Sequence, residues 1–178
     1  MKEVLKKFFD SIWGDLLITI AVALLIMQFV CPTIVKEDSM QPNIYENDYL
    51  ILAKKAYMFS EPERGDVIVF KSDVEDAKHH KKLLIKRIVG LPGETIEIVN
   101  AQTYIDGELF VEDYIKDQTD WQGVDRITLS EDEYFVMGDN RRVSLDSRGL
   151  GPVNEDRIKG KVVFRCFPFN KIGTLHLD

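Results

Sequence analysis

The sequence predicts a mostly β domain preceded by one N-terminal transmembrane helix. An apolar run begins at Leu16 and continues, with few interruptions, to Val35. From Tyr49 onward, short branched stretches alternate with turn residues at intervals that suit strands. The dipeptide Asp106-Gly107, between Tyr104-Ile105 and Leu109-Phe110-Val111, is a hairpin signature, because a two-residue turn of this kind needs left-handed backbone at both positions.

The segment from Leu16 to Val30 reads LLITIAVALLIMQFV and carries no charge. Its extension to Val35 is broken only by Gln28, Cys31, Pro32 and Thr33. Roughly 20 apolar residues cross a bilayer core. The run ends in Cys31-Pro32-Thr33-Ile34-Val35, without the small-residue exit of a cleavable signal, so an uncleaved anchor is expected. Lys2, Lys6 and Lys7 precede it and place the amino end on the cytoplasmic side. Phe8, Phe9, Ile12 and Trp13 recur at helical spacing, with Trp13 suited to the interface. Lys36, Glu37 and Asp38 mark the exit from lipid. The expected organisation is a cytoplasmic N-terminus and anchor over 1–35 and an extracytoplasmic β-rich domain over 36–178, in a monomer of the cell membrane.

Strands are predicted at Tyr49-Leu50-Ile51-Leu52, Asp66-Val67-Ile68-Val69-Phe70, Ile96-Glu97-Ile98-Val99 and Lys161-Val162-Val163-Phe164. Leu91-Pro92-Gly93-Glu94 reads as a turn. The charged stretch from Lys71 to Lys82, KSDVEDAKHHKK, reads as a solvated loop or hairpin tip. With no repeat and no helical period after residue 40, several short strands in coiled or barrel-like sheets are expected.

The net charge of −7 leaves no basic footprint for nucleic acid. The two cysteines, Cys31 and Cys166, form no CxxC pair and read as free thiols. His79 and His80 lack a third ligand, and His176 has no partner motif, so neither a metal nor a cofactor is expected.

The chemistry rests on Ser39 and Lys86. Ser39 is followed by Met40 and Pro42, which constrain the backbone beyond it. Neither Ser-x-x-Lys nor Gly-x-Ser-x-Gly is present around it, so its base must be distant in sequence. No histidine is near. Lys86 sits between Leu83-Leu84-Ile85 and Ile88-Val89. Alternation puts it on the face of Leu84 and Ile88, with Arg87 opposite among Ile85 and Val89. Burial disfavours the ammonium, and a neutral lysine amine can accept a serine proton. A third segment, from Met137 to Pro152, is dense in Gly, Asp, Asn, Arg and Ser and reads as a hydrogen-bond network. In it, Asp146 and Arg148 can pair, and Ser144 can meet a buried amine.

These segments resemble type I signal peptidase, the bacterial membrane-bound Ser/Lys leader peptidase, and its Gram-positive members in particular. The matching motifs are Ser39-Met40-x-Pro42, Arg64-Gly65-Asp66-Val67-Ile68-Val69-Phe70, Lys86-Arg87-Ile88-Val89-Gly90-Leu91-Pro92-Gly93, and Gly138-Asp139-Asn140-Arg141 through Ser144-x-Asp146-Ser147-Arg148. The resemblance implies a signal-peptidase-like coiled β-sheet or barrel. It implies that Ser39 attacks the scissile carbonyl, Lys86 is general base, the Ser39 N–H is an oxyanion donor, Ser144 orients the Lys86 amine, and Asp146 with Arg148 braces the site. It implies exported preproteins as partners, cut after small Ala-x-Ala-like residues. Val35, Met40, Ile44 and Leu84 flank the two catalytic residues as candidates for shallow substrate pockets. Many relatives carry Gly or Ser two residues before the nucleophile, where this chain has Glu37, which cannot donate a hydrogen bond when ionised. Asn43 likewise replaces a small hydroxyl residue. The alternative from another class is a membrane-anchored, non-catalytic β binding module. A self-cleaving Ser/Lys repressor protease would need a DNA-binding region where residues 1–35 offer an anchor.

Overall fold

The computed structural model describes residues 3, 7, 12–115 and 123–175. Lys2, Lys6, Phe8, Phe9 and His176 lie outside them. A helix over Ile12–Phe29 leads into twelve strands among the described residues: β1 (Val30–Ile34), β2 (Tyr49–Ala53), β3 (Val67–Glu75), β4 (Lys81–Gly90), β5 (Thr95–Val99), β6 (Gln102–Ile105), β7 (Glu108–Phe110), β8 (Val124–Thr128), β9 (Glu133–Met137), β10 (Val153–Asn154), β11 (Ile158–Phe167) and β12 (Gly173–Thr174). The expected mostly β architecture is therefore present.

The apolar run does not stay helical to Val35. Its 18-residue helix, about 27 Å long at 1.5 Å per residue, stops at Phe29. Val30–Ile34 then leaves as β1, paired antiparallel with β2 from Val30↔Ala53 to Ile34↔Tyr49. Pro32 cannot continue a helix, and β1 is an edge strand, where a missing N–H is tolerated. By backbone pairing Val30–Ile34 thus belongs to the main sheet. Val35 itself is core. Main-chain Lys54 N donates to Phe29 O at 2.8 Å and the Lys54 amine to Met27 O at 3.0 Å, so the end of β2 caps the helix. Among the described residues no helix is long and apolar enough to cross a membrane.

The main sheet runs β1-β2-β11-β3-β4-β9-β10, with β12 added to β11, and a second sheet runs β7-β6-β5-β8. All pairings are antiparallel. Strand parity sorts the core. Val67 and Val69 join Val35, Met40, Ile44, Leu50, Leu52 and Val162. Their neighbours Ile68 and Phe70 join Leu84, Ile88, Tyr134, Val136 and Val153 instead. A third cluster of Val89, Ile96, Ile98, Leu129, Phe135 and Met137 seats the small sheet on the large one. The Asp106-Gly107 turn has φ of 52° and 86° and joins β6 to β7 as the sequence predicts. The charged stretch forms the distal ends of β3 and β4 and the tip between them, with Glu75 and Lys81 as its last pair. The Leu91–Glu94 turn closes through Glu94 N to Leu91 O at 3.2 Å.

Candidate active site

Ser39 lies in a single 3-10 turn, Asp38–Met40, between β1 and β2. The turn closes through Gln41 N donating to Asp38 O, 3.2 Å. Buried Met40 anchors it in the apolar cluster of Val35 and Ile44, which leaves the Ser39 side chain facing β4. Lys86 reaches it from the middle of β4, a strand covered on both edges by β3 and β9. The Lys86 amine lies 2.7 Å from Ser39 Oγ and also donates to Ile85 O at 3.0 Å. The two residues are 47 positions apart in sequence.

Lys86 has 0% of its surface exposed. Burial pushes its amine below the ordinary lysine value of 10.5, and Asp146, Glu37 and Asp139 partly offset this through their negative charge. In the ammonium form the amine donates to Ser39. In the neutral form its lone pair can take the hydroxyl proton along the same line.

The loop after β9 carries the bracing. Arg148 Nε and Nη2 donate to Asp146 Oδ1 and Oδ2, each at 2.9 Å, in a buried two-pronged pair. Asp146 also caps the short helix Ser147–Leu150 and accepts Gly138 N at 3.0 Å. Ser147 Oγ accepts Val136 N at 2.9 Å, which ties this helix to β9. Asp146 and Arg148 thus pair as the sequence suggests. Ser144 is buried, but its hydroxyl makes no hydrogen bond to the Lys86 amine and has no partner among the described residues.

Sequence reasoning missed a second brace. Arg87 donates to both oxygens of Asp139, at 2.8 and 2.7 Å, and to Gly65 O at 2.8 Å. The signal was available in strand parity: with Lys86 on one face, Arg87 must be buried on the other and needs a carboxylate. Asn43 donates to Asp139 Oδ2 and to Tyr114 O, both at 2.8 Å, which gives this unusual residue its structural reason. Tyr114 also stacks its ring on the Arg87 guanidinium at 4.5 Å. Arg141 pairs with Glu112, whose other contacts are Thr103 Oγ1 at 2.9 Å and Tyr114 OH at 2.6 Å. In the sequence Gly138 stands out only as part of a motif. A Cβ there would lie 2.4 Å from Ser39 O and 2.2 Å from Ser144 Oγ, so only glycine lets this loop close onto the Ser39 turn.

The four pocket candidates do not form one open surface. Val35, Met40 and Ile44 are packed together in one cluster beside Ser39, and Leu84 is packed in another. All four are buried. Glu37 is exposed and makes no capping hydrogen bond to the turn. Cys31 and Cys166 are free thiols, half-buried in β1 and β11. His79 bonds to Glu75 at 3.1 Å at the hairpin tip. Among the described residues no group of three His, Cys, Asp or Glu could hold a metal.

Known proteins share this chain's pattern. The family described as signal peptidase, peptidase S26, matches residues 11–167. The chain belongs to the signal peptidase family. It is a serine peptidase of the signal peptidase I type, which removes the non-catalytic binding module from consideration. Among its relatives, a signal peptidase I of Leptolyngbya laminosa is 36% identical over 163 residues, covering 89% of this chain and 79% of that one. A signal peptidase I of Bacillus amyloliquefaciens is 36% identical over 170 residues, covering 89% and 86%. Signal peptidase I S of Bacillus subtilis is 36% identical over 169 residues, covering 88% of each. A crystal structure of a signal peptidase I from Enterococcus faecalis is 32% identical, covers 57% of this chain and 97% of that one, and gives a TM-score of 0.47.

Proposed function

We propose that this peptidase removes N-terminal signal peptides from exported preproteins, cutting after small Ala-x-Ala-like residues by a Ser39/Lys86 dyad. The observation that carries the reading is the 2.7 Å contact between Ser39 Oγ and a wholly buried lysine amine. Neutral Lys86 takes the Ser39 proton as Oγ attacks the scissile carbonyl. The resulting ammonium then gives that proton to the leaving amine. The Ser39 N–H stabilises the oxyanion. Water hydrolyses the acyl-enzyme with Lys86 again as base. The unpartnered Ser144 hydroxyl is the acceptor that receives the ammonium once the Ser39 proton has moved, while Asp146 and Arg148 keep its loop in place. An extended signal-peptide segment binds by strand addition beside the site.

The enzyme acts as a monomer at the cell membrane, amino end inside and catalytic domain outside. Support for the anchor is the helix over Ile12–Phe29, whose large apolar side chains, Leu17, Leu24, Leu25 and Ile26 among them, are exposed. The lysines ahead of it support the orientation. Ser39 is ten residues beyond the end of this helix, so a substrate tethered in the same bilayer meets the nucleophile near the lipid surface.

The test is cleavage of a preprotein in detergent by the wild type and by Ser39→Ala. The expected outcome is loss of the cleaved product with an unchanged circular dichroism spectrum. A folded Ser39→Ala protein that still cuts at the wild-type rate would overturn the reading.

A further inference from the structure

The side chain of Asn140 has no part in the acid–base chemistry above, yet it lies against the nucleophile turn. Asn140 Nδ2 donates to Asp38 O at 3.2 Å, and Asn140 N donates to Ser39 O at 3.0 Å. One residue therefore holds the carbonyls on both sides of the Ser39 nitrogen. Asp38 O and the Ser39 N–H belong to the same planar peptide unit and point in opposite directions. To fix the direction of that carbonyl is to fix the aim of the N–H. A carbonyl that accepts hydrogen bonds also polarises the N–H of its own amide.

We propose that Asn140 is a positioning residue for the oxyanion donor: its carboxamide orients the Asp38–Ser39 peptide so that the Ser39 N–H faces the carbonyl oxygen of the scissile bond. The inference rests on Ser39 as nucleophile. The direction of the Ser39 N–H governs how much charge this donor stabilises.

The rest of the loop makes the carboxamide separable from the fold. Asp139 is held by Arg87, Gly138 N by Asp146, and Asn140 N keeps its own bond to Ser39 O. Asp38 O retains Gln41 N as a donor when the carboxamide is removed. Asn140 is half-buried, so water can reach the vacated position. Truncation thus removes the aim without removing the loop.

The experiment compares Asn140→Ala, Asn140→Asp and Ser39→Ala in full-length enzyme. It measures preprotein kcat and KM across pH, thermal unfolding, and affinity for a peptide boronate and for the same peptide without the boronic acid. Removing an oxyanion donor lowers kcat roughly 10²–10³-fold, and misaiming one is expected to cost about 10-fold or more. Asn140→Ala should lose that factor in kcat, with KM within about twofold, the apparent pKa of the rate profile unmoved and the melting temperature unchanged. Affinity for the boronate, which needs the oxyanion donor, should fall with kcat, and affinity for the plain peptide should not. Asn140→Asp, which cannot donate from that position, should be at least as slow. Wild-type kcat in both variants, a loss confined to KM, or equal losses for boronate and plain peptide would overturn the inference. If Ser39→Ala is inactive in the same assay, that failure leaves the dyad reading standing; if Ser39→Ala is active, the dyad reading itself fails.

Discussion

Lys86 and Arg87 are consecutive on β4 and equally withdrawn from water, at 0% and 2% exposure, yet the fold treats their charges in opposite ways. Arg87, on one face, meets a two-pronged carboxylate from Asp139, the Gly65 carbonyl and the Tyr114 ring. Lys86, on the other, meets a hydroxyl and one carbonyl, and among the described residues no carboxylate comes within ion-pair distance. A buried charge is tolerable when paired and costly when it is not. A guanidinium does not lose its proton, so Arg87 must be paired. An amine can lose its proton, so burial without a carboxylate beside it favours the neutral form of Lys86. Asp146 illustrates the separation: its negative charge raises the Lys86 value from a distance, while its oxygens are held by Arg148 and Gly138 N.

The largest effect should come from erasing the difference between the two. Lys86→Arg keeps the charge but cannot supply a base, and preprotein cleavage should fall by at least about 10³-fold in a single-turnover assay. Residual turnover near the wild-type rate would mean that the base is another group. On the opposite face, Arg87→Ala leaves Asp139 buried without its partner. Chemical denaturation should report a loss of about 3–5 kcal/mol.

Gly138 sits between the two: it packs against Ser39 and Ser144, and the next residue, Asp139, pairs with Arg87. Gly138→Ala forces a Cβ against Ser39 O and Ser144 Oγ, and cleavage should drop by about tenfold or more while the β circular dichroism signal persists.

Acidity sharpens the comparison further. The folded-state value of Lys86 is lowered, so between that value and about 10.5 the unfolded chain binds more protons than the native one. Native stability relative to Lys86→Met should therefore rise with pH through this window, by at most about 1.4 kcal/mol per pH unit, and level off above it. Activity should instead rise as the pH passes through the folded-state value itself, the lower edge of this window, and level off above it. Arg87 should contribute no such slope. A flat difference between wild type and Lys86→Met would show that burial does not shift the amine.

The smallest effect concerns Ser144. Its hydroxyl makes no hydrogen bond among the described residues, so Ser144→Ala should change stability by less than about 1 kcal/mol in thermal unfolding. Cleavage should nonetheless slow several-fold if that hydroxyl receives the Lys86 ammonium during turnover.

The sequence by itself determined four strands, now the cores of β2, β3, β5 and β11, the hairpin at Asp106-Gly107, and the nucleophile and base candidates. These follow from local chemistry: β-branched runs, a turn that demands positive φ, and a lysine embedded among aliphatic residues. Parity even assigned Lys86 and Arg87 to opposite faces. It did not find where the helix stops, because apolar composition continues through Cys31-Pro32-Thr33-Ile34-Val35 and only pairing with β2 makes that stretch a strand. Nor could it find Asp139 as the partner of Arg87, Glu112 as that of Arg141, or Asn140 as the grip on Asp38 and Ser39. Those contacts join residues 29 to 102 positions apart. The 2.7 Å meeting of Ser39 and Lys86 belongs with them. Local sequence sets which groups are available and which face of a strand they occupy. Which charge is paired and which is left to titrate depends on what the closed sheets bring opposite it, and only the tertiary structure decides that.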